Sequence, residues 1–427
     1  MLRLTLRFFG AFLALGGVTP VSNALADPPP AAAVLDAYAD IATAGYEDSA
    51  AGARALKKAI DAMLAAPSPA TLAAARDAWR AARVPYMQTE AFRFGNPIVD
   101  DWEGRVNAWP LDEGLIDYVA EAYGSDHPEN EFYAANVIAN PELKVAGATV
   151  DASEITAGLI RDSLHEAGGI EANVASGYHA IEFLLWGQDL NGTEAGAGDR
   201  PPTDYDLENC TNGNCDRRSA YLRVVTDMLI EDLDWMAEQW APGGSARIAV
   251  TENETRGLTA ILTGLGSLTY GELAGERMKL GLMIHDPEEE HDCFSDNTHN
   301  AHAGDARGIR NVYLGRYTRT DGSVVSGPSV SDLVRAKSPE TDDAVRAALD
   351  RTAAQMDVLV KRAETVEAYD QMIGLGNTEG NAVVQKTIDT LIAQAKELER
   401  AIAALDLEGI AFEGSDSLDN PGAVDSD

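Results

Sequence analysis

The sequence predicts an all-α protein built from packed helical bundles. Over several long segments, apolar residues recur at steps of three and four residues, which is the period of an amphipathic helix. Only Val312 to Val325, with a turn at Asp321-Gly322, has the pattern of a β-hairpin. Of the 427 residues, 45% are hydrophobic and 24% charged, as in a globular chain of two or three domains.

The N-terminal segment is typical of an export signal. Arg3 and Arg7 precede an apolar run from Phe8 to Val18, and Ala24-Leu25-Ala26 matches a small-x-small cleavage site. That run is about half the ~20 residues that a membrane-spanning helix needs. We therefore predict a signal peptide over residues 1–26, a mature chain in the periplasm or at the cell surface, and no transmembrane segment in that mature chain.

Four further segments have the helical period. They are Ala31 to Val84, Leu222 to Trp240, Val345 to Val366 and Val384 to Leu405. The first contains one or two Ala-rich helices, a stop at Pro67-Ser68-Pro69 and then a further helix, and the second ends at Pro242-Gly243-Gly244. The last two are expected to pair as an antiparallel hairpin across the break from Gly374 to Gly380.

A polar, Gly/Pro-rich stretch without periodicity is expected to divide the chain. We place this linker at residues 188–217, between an N-terminal half (27–187) and a C-terminal half (218–407). Residues 408–427 are acidic and nearly free of aromatic residues, and we predict a disordered tail.

Three cysteines fit an exported protein. Cys210 and Cys215 flank an Asn-Gly turn, where a disulfide is sterically allowed. Cys293 has no obvious partner, and we expect a buried, inert thiol.

The charge balance restricts the partners. The whole chain has 33 basic and 69 acidic residues, a formal charge of −36, and loss of residues 1–26 would make it −38. Nucleic acids and anionic membranes are excluded as partners because their phosphates require clustered Lys and Arg. The charge leaves cations and uncharged molecules as partners.

Candidate chemistry lies just before the linker. His179 and Glu182 are three residues apart on a predicted helix, so their side chains share one face. Imidazole and carboxylate together suit iron, zinc or manganese. The alternative is a His-Glu hydrogen bond inside a packed helix. The surrounding apolar residues favour a polar or cationic partner, because burying the pair alone would be costly.

These residues resemble a known family. Gly177-x-His179-x-x-Glu182 is similar to the signature of the imelysin-like proteins, and the phrases Asp101 to Glu113 and Glu290 to His299 resemble its iron-regulated protein A branch. The resemblance covers roughly Val34 to Leu405. It implies two helical domains related by internal duplication, a periplasmic or surface location, and a role in iron uptake. The bound ion would be a divalent or ferric metal, iron first, with zinc as an alternative.

Further ligands are predicted from the two halves. Glu90 and Glu276 occupy similar positions beside apolar residues, and duplication would bring both toward His179 and Glu182. The alternatives are a salt bridge from Glu90 to Arg93, and pairing of Glu276 with its basic neighbours. The run from Asp286 to His291 is expected to be a solvated acidic face, and Asp296-x-x-His299 a second site or a lid.

Three classes of function remain open at this point. The first is capture of a metal ion for a membrane transporter or a surface partner. The second is a metallopeptidase of the imelysin type, although the chain has no His-Glu-x-x-His pair. The third is a scaffold that binds a partner without metal.

Overall fold

Helices dominate the computed structural model, which describes residues 28–125, 127–145 and 147–424. The predicted signal peptide over residues 1–26 lies outside the described residues. None of the described helices combines the length and apolar character needed to cross a membrane. The α-helices are α1 Ala31–Ala65, α2 Pro69–Met87, α3 Pro97–Asn107, α4 Glu113–Ile116, α5 Ala157–Leu159, α6 Gly177–Trp186, α7 Cys215–Trp240, α8 Ser245–Thr251, α9 Glu254–Ser267, α10 Gly281–Ile284, α11 Thr298–Leu314, α12 Val330–Lys337, α13 Pro339–Thr365, α14 Tyr369–Ile373, α15 Thr378–Ala404 and α16 Asp416–Asp419.

The break between the first two helices lies where the sequence predicts it. Ser68 caps α2, because its hydroxyl accepts a hydrogen bond from the Thr71 N–H. The Thr71 hydroxyl in turn accepts a hydrogen bond from the Ser68 N–H. Pro69 occupies the first helical position, where its missing N–H removes no helix hydrogen bond. The pair α1 and α2 packs together, and α1 also packs on α7.

The predicted antiparallel pair is also confirmed. Thr352 on α13 donates to the Thr390 carbonyl on α15, and further along the pair Gln355 donates to Thr387. Partner numbers fall on one helix as they rise on the other, so the two helices run in opposite directions.

Two small hairpins accompany the helices. The predicted one comprises β3 (Arg316–Thr318) and β4 (Val324–Ser326), with Tyr317 opposite Val325. The sequence analysis missed the other, β1 (Glu142–Val145) and β2 (Ala148–Asp151). Burial alternates along β1, but over only four residues, which is too short a run to distinguish from a loop.

Two apolar cores hold the elements together. The larger takes residues from before and after the polar stretch 188–217, and the smaller takes residues only from Leu273 to Leu391. The stretch itself is partly buried, with Arg200, Asp204 and Tyr205 inside the protein. Its end is helical, because α7 begins at Cys215. The division into duplicated halves stays a prediction.

The sterically allowed disulfide is present, whereas the thiol expected to be buried is only half-buried. Cys210 and Cys215 form a disulfide. Cys293 is a free cysteine, half-buried, and burial raises the pKa of its thiol well above the usual value. An un-ionised thiol is a poor nucleophile, as expected for an inert residue.

The prediction of a disordered tail is wrong for residues 408–424. Phe412 packs against the larger core, and the Glu413 N–H donates to the Ser267 hydroxyl. The short helix α16 follows, and the Ser417 hydroxyl donates to the Gly275 carbonyl. Acidic composition dominated the prediction, whereas the few apolar and small residues determine where this segment packs.

Candidate metal centre

The helix α6 that carries His179 and Glu182 is buried on all sides. Its first residue, Gly177, has a φ of +82°, and a Cβ there would lie 2.5 Å from the Val106 carbonyl oxygen. Only glycine allows this close approach without strain. Gly187, also at positive φ, follows the last residue of the helix. The Trp79 indole of α2 donates to the Tyr178 carbonyl and fixes α6 against α2.

Glu182 holds His179 from one side. The His179 Nδ1 lies 2.9 Å from the Glu182 Oε2. The other carboxylate oxygen, Oε1, accepts hydrogen bonds from the Ser295 N–H at 3.0 Å and the Ser295 hydroxyl at 2.6 Å. Both oxygens of Glu182 are thus engaged, and its role in this geometry is to orient the imidazole.

The segment before α11 brings a second histidine and an aspartate to His179. The rings of His179 and His291 meet edge to face with centroids 4.8 Å apart. One ligand atom from each of His179, His291 and Asp292 lies within 4.8 Å of the other two, and all three side chains are buried. The structure therefore places in one cluster three side chains of the types that can ligate a metal ion.

A basic side chain fixes this segment. Arg83 of α2 is buried, pairs with Asp292, and lies with its Nη2 3.1 Å from the His291 Nδ1. Asn297 donates to the second Asp292 oxygen at 2.7 Å. Because Arg83 can only donate, the His291 Nδ1 accepts, and the neutral ring carries its proton on Nε2. A metal ion could therefore bind this ring only if it took the place of the Arg83 contact at Nδ1 or of the proton on Nε2.

The electrostatics keep both imidazoles neutral. Burial, helped by Arg83, lowers the pKa of His179 well below its usual value, and burial with Arg277 lowers that of His291. Burial would raise the pKa of Asp292, but Arg83 and His291 hold it well below its usual range. Neutral imidazoles and an ionised carboxylate are the forms that bind metal ions.

One atom of the cluster has no partner. The His179 Nε2 is buried and makes no hydrogen bond with any described residue. A buried polar atom without a partner costs free energy, and a metal ion beside Nε2 would remove that cost. A carboxylate on the opposite ring nitrogen, as Glu182 provides, is the usual support of a metal-bound histidine. The residues present therefore fit a metal ion.

The other two predicted ligands are not at the cluster. Glu90 is buried, but it accepts a hydrogen bond of 2.7 Å from Arg277, which also pairs with Glu272 and Asp305. Glu276 is exposed to solvent. It lies on the π-helical stretch Leu268–Leu280, whose wider turns do not follow the three- and four-residue spacing of an α-helix. The structure thus brings together His179 and Glu182 but neither of the other acids.

The expectation of a solvated acidic face is wrong at its end. Glu290 and His291 are only 1% and 2% exposed. Sequence reasoning missed His291 and Asp292 as candidate ligands because local charge density suggested a surface. The available signal is the phrase Glu290 to His299, which resembles the iron-regulated proteins and contains both residues. Of the other predicted pair, Asp296 groups with Asp189 and Asp370, while the His299 ring contacts the Asp296 backbone. A second site or a lid at this pair stays a prediction.

Comparison with known proteins agrees with this fold. The family model of imelysin (peptidase M75) matches residues 42–398. Iron-regulated protein A of Synechococcus elongatus is 44% identical over 71 residues, which is 16% of this chain and only 20% of that protein.

Two solved structures share the fold. One, provisionally named an iron-regulated protein A precursor from Parabacteroides distasonis, has a TM-score of 0.62 at 20% identity over 89% of this chain and 97% of that one. An imelysin-like protein from Psychrobacter arcticum has a TM-score of 0.56 at 15% identity over 90% of this chain and 99% of that one. On the strength of the family match over most of its length, the chain belongs to the imelysin family.

Proposed function

We propose that this imelysin family member is an exported protein that captures a metal ion, iron first, at His179, His291 and Asp292. The location is the periplasm or the cell surface, as the N-terminal sequence suggests, and a membrane transporter or surface partner would receive the ion. The relative named iron-regulated protein A supports an iron-related role.

The observation that carries the proposal is the unpartnered Nε2 of His179 beside a second imidazole and a carboxylate. Two histidines and one carboxylate form the donor set of many non-haem Fe(II) sites. Zinc and manganese also accept such ligands, so selectivity would depend on geometry and on supply. Glu182 supports the site through His179 rather than as a ligand.

Burial favours capture over peptide hydrolysis. The three ligands are at most 2% exposed. A catalytic metal in a peptidase keeps an open coordination position facing its substrate, and a buried cluster offers a peptide little access. This argument makes the metallopeptidase the weaker alternative.

A second candidate rests on Arg83. Its pairing with Asp292 and its contact with His291 would also satisfy a purely structural polar network that holds the segment before α11 on α2. In that case the chain would serve as a scaffold without metal. The positive charge of the Arg83 guanidinium also repels a nearby cation. The metal hypothesis therefore requires Asp292 to pair with Arg83 and bind the metal ion at the same time.

Metal analysis of the mature chain, residues 27–427, tests the proposal. The protein is stripped with chelator, loaded anaerobically with Fe(II), or separately with Zn(II), and dialysed. We expect about one ion per chain, and a loss of at least ten-fold in affinity for His179→Ala and for His291→Gln. His127→Ala is the matched control because His127 is exposed.

The outcomes separate the candidates. Equal metal content in wild type, both variants and the control would overturn the site. Failure of wild type to retain any metal, with both variants less stable, would favour the structural network. Peptide hydrolysis that disappears with the metal would establish the peptidase instead.

A further inference from the structure

A second group of acids lies outside the imidazole cluster. One carboxylate oxygen from each of Asp189, Asp296 and Asp370 lies within 4.8 Å of the other two. The three residues come from separate parts of the chain. Asp189 follows α6, Asp296 lies before α11 in the left-handed region (φ +53°), and Asp370 belongs to α14.

Two buried side chains point to a ligand there. Asp370 is 2% exposed and Glu290 1% exposed, and none of their four carboxylate oxygens accepts a hydrogen bond of normal geometry from a described residue. Weaker contacts reach Glu290 from the Thr298 side chain and Asp370 from the Gln371 N–H. Asp370, Glu290 and Asp189 line one small cavity of about 10 Å³ with Cys293 and Phe294, room for a single ion or water molecule. Unpartnered buried carboxylates are rare, because each has lost its hydration without compensation.

The described part of the chain supplies no direct counter-charge to these acids. Among the ion pairs of the described residues, none joins Lys or Arg to Asp189, Asp296, Asp370 or Glu290. Arg80 is the basic residue that acts on Asp296 at longer range.

The missing counter-charge shows in the pKa values of these acids. Burial raises the pKa of Asp296 to about 7, and burial with the charge of Asp296 raises that of Asp370 to about 8. Protons or a bound cation would remove this repulsion.

We propose that Asp189, Asp296 and Asp370, together with Glu290, bind a hard divalent cation, with Ca²⁺ as the preferred ion. All four side chains offer only oxygen, the ligand that Ca²⁺ takes, whereas the cluster at His179 offers two nitrogens. The oxygens of Asp189, Asp296 and Asp370 lie within 4.8 Å of one another, so a point between them is at most about 2.8 Å from each, close to the Ca²⁺–O distance of ~2.3–2.6 Å.

The ion would act as a cross-link. It joins the loop after α6 and the segment before α11 to α14, whose Tyr369, Met372 and Ile373 belong to the smaller core. Glu290 immediately precedes His291, so the same ion would stiffen the segment that carries His291 and Asp292. The two sites share no ligand, so each can be tested without the other, although they are joined through this segment.

Calcium binding to the chelator-treated mature chain provides the test. Ca²⁺ is titrated by calorimetry at pH 7.5, and thermal unfolding is recorded with and without Ca²⁺ at about 5 mM. That concentration exceeds the dissociation constants of roughly 0.1–1 mM that are typical of extracellular calcium sites. We expect one site and a higher Tm with Ca²⁺. Asp370→Asn and Asp189→Asn should each weaken Ca²⁺ at least ten-fold and lose most of the Tm increase. Asp151→Asn, an exposed site, is the matched control.

Two further arms make the result decisive. Without Ca²⁺, Asp370→Asn should be at least as stable as wild type, because it removes a repelled carboxyl group. His179→Ala should keep the Ca²⁺ response, so failure of the iron site and failure of this site are separable. No Tm increase in wild type at 5 mM Ca²⁺, or an equal increase in Asp370→Asn, would overturn the proposal. A response to Fe(II) with none to Ca²⁺ would also overturn it.

Discussion

Ser295 donates two hydrogen bonds to one oxygen of Glu182, from its N–H at 3.0 Å and from its hydroxyl at 2.6 Å. These bonds attach the segment that carries His291 and Asp292 to the helix that carries His179. Ser295 and Glu182 are 113 positions apart in the sequence. Glu182 therefore acts at the joint between the two parts of the metal cluster.

Replacing Glu182 should weaken metal binding without abolishing it. Glu182→Gln keeps the shape but replaces the carboxyl group beside His179 with an amide, and loss of such a supporting carboxylate typically costs about 10–100-fold in metal affinity. Isothermal titration of the mature chain with Zn(II) as the probe measures this change. If Glu182→Gln instead loses metal as completely as His179→Ala, Glu182 is itself a ligand, as the sequence predicts.

Glu90 and Glu276 should give a contrasting pair of variants. Glu90→Gln removes the charge from a buried ion pair with Arg277, and breaking such a pair typically costs about 3–5 kcal/mol. Because Arg277 keeps Glu272 and Asp305, we expect the lower part of that range in urea unfolding. Glu276→Gln should leave stability unchanged, since its side chain is exposed. Neither substitution should change metal content, and a loss of metal in Glu90→Gln would restore Glu90 as a ligand.

The helices were predictable from sequence because their signals are local. Apolar spacing, Pro69 at the start of α2 and the Asp321-Gly322 turn each act within a few residues. The metal cluster depends instead on contacts across the chain. Arg83 buries Asp292 from 209 positions away, and no local pattern reveals that a charged run will turn inward.

The same limit explains the tail and Glu276. Composition is a mean over many residues, so it could not show that Phe412 packs against the core. The exposure of Glu276 depends on a π-helical stretch that a period of three and four residues does not describe. His179 and Glu182 were identified because both lie on one helical face.

The pH dependence of stability should include a contribution from Asp117. Burial would raise the pKa of this carboxyl group, but Arg200 and Arg218 lower it below its usual value. The folded protein thus binds the proton more weakly than the unfolded chain. The stabilisation by Asp117 is present above its unfolded pKa of 3.8 and is lost as the pH falls through the folded value.

Comparison of Asp117→Asn with wild type measures that contribution. Urea unfolding at pH 7 should show the variant less stable by about 3–5 kcal/mol, the typical cost of breaking a buried ion pair. The difference should shrink as the pH is lowered below 4. Asp151→Asn, at an exposed position, controls for the general loss of a carboxylate. A difference that stays constant from pH 7 to pH 3 would contradict the assignment.

The packed C-terminal segment can be released by one methyl group. A Cβ at Gly266 would lie 1.8 Å from a ring atom of Phe412, so Gly266→Ala must displace that ring from the core. Overpacking of this kind costs about 1–3 kcal/mol, and we expect the segment to detach rather than α9 to shift. Limited proteolysis should then cleave residues 408–424 faster than in wild type. In Gly158→Ala the nearest atom to the new methyl group lies 3.8 Å away, so cleavage should match wild type. Equal cleavage of Gly266→Ala and wild type would mean that Phe412 does not hold the segment in solution.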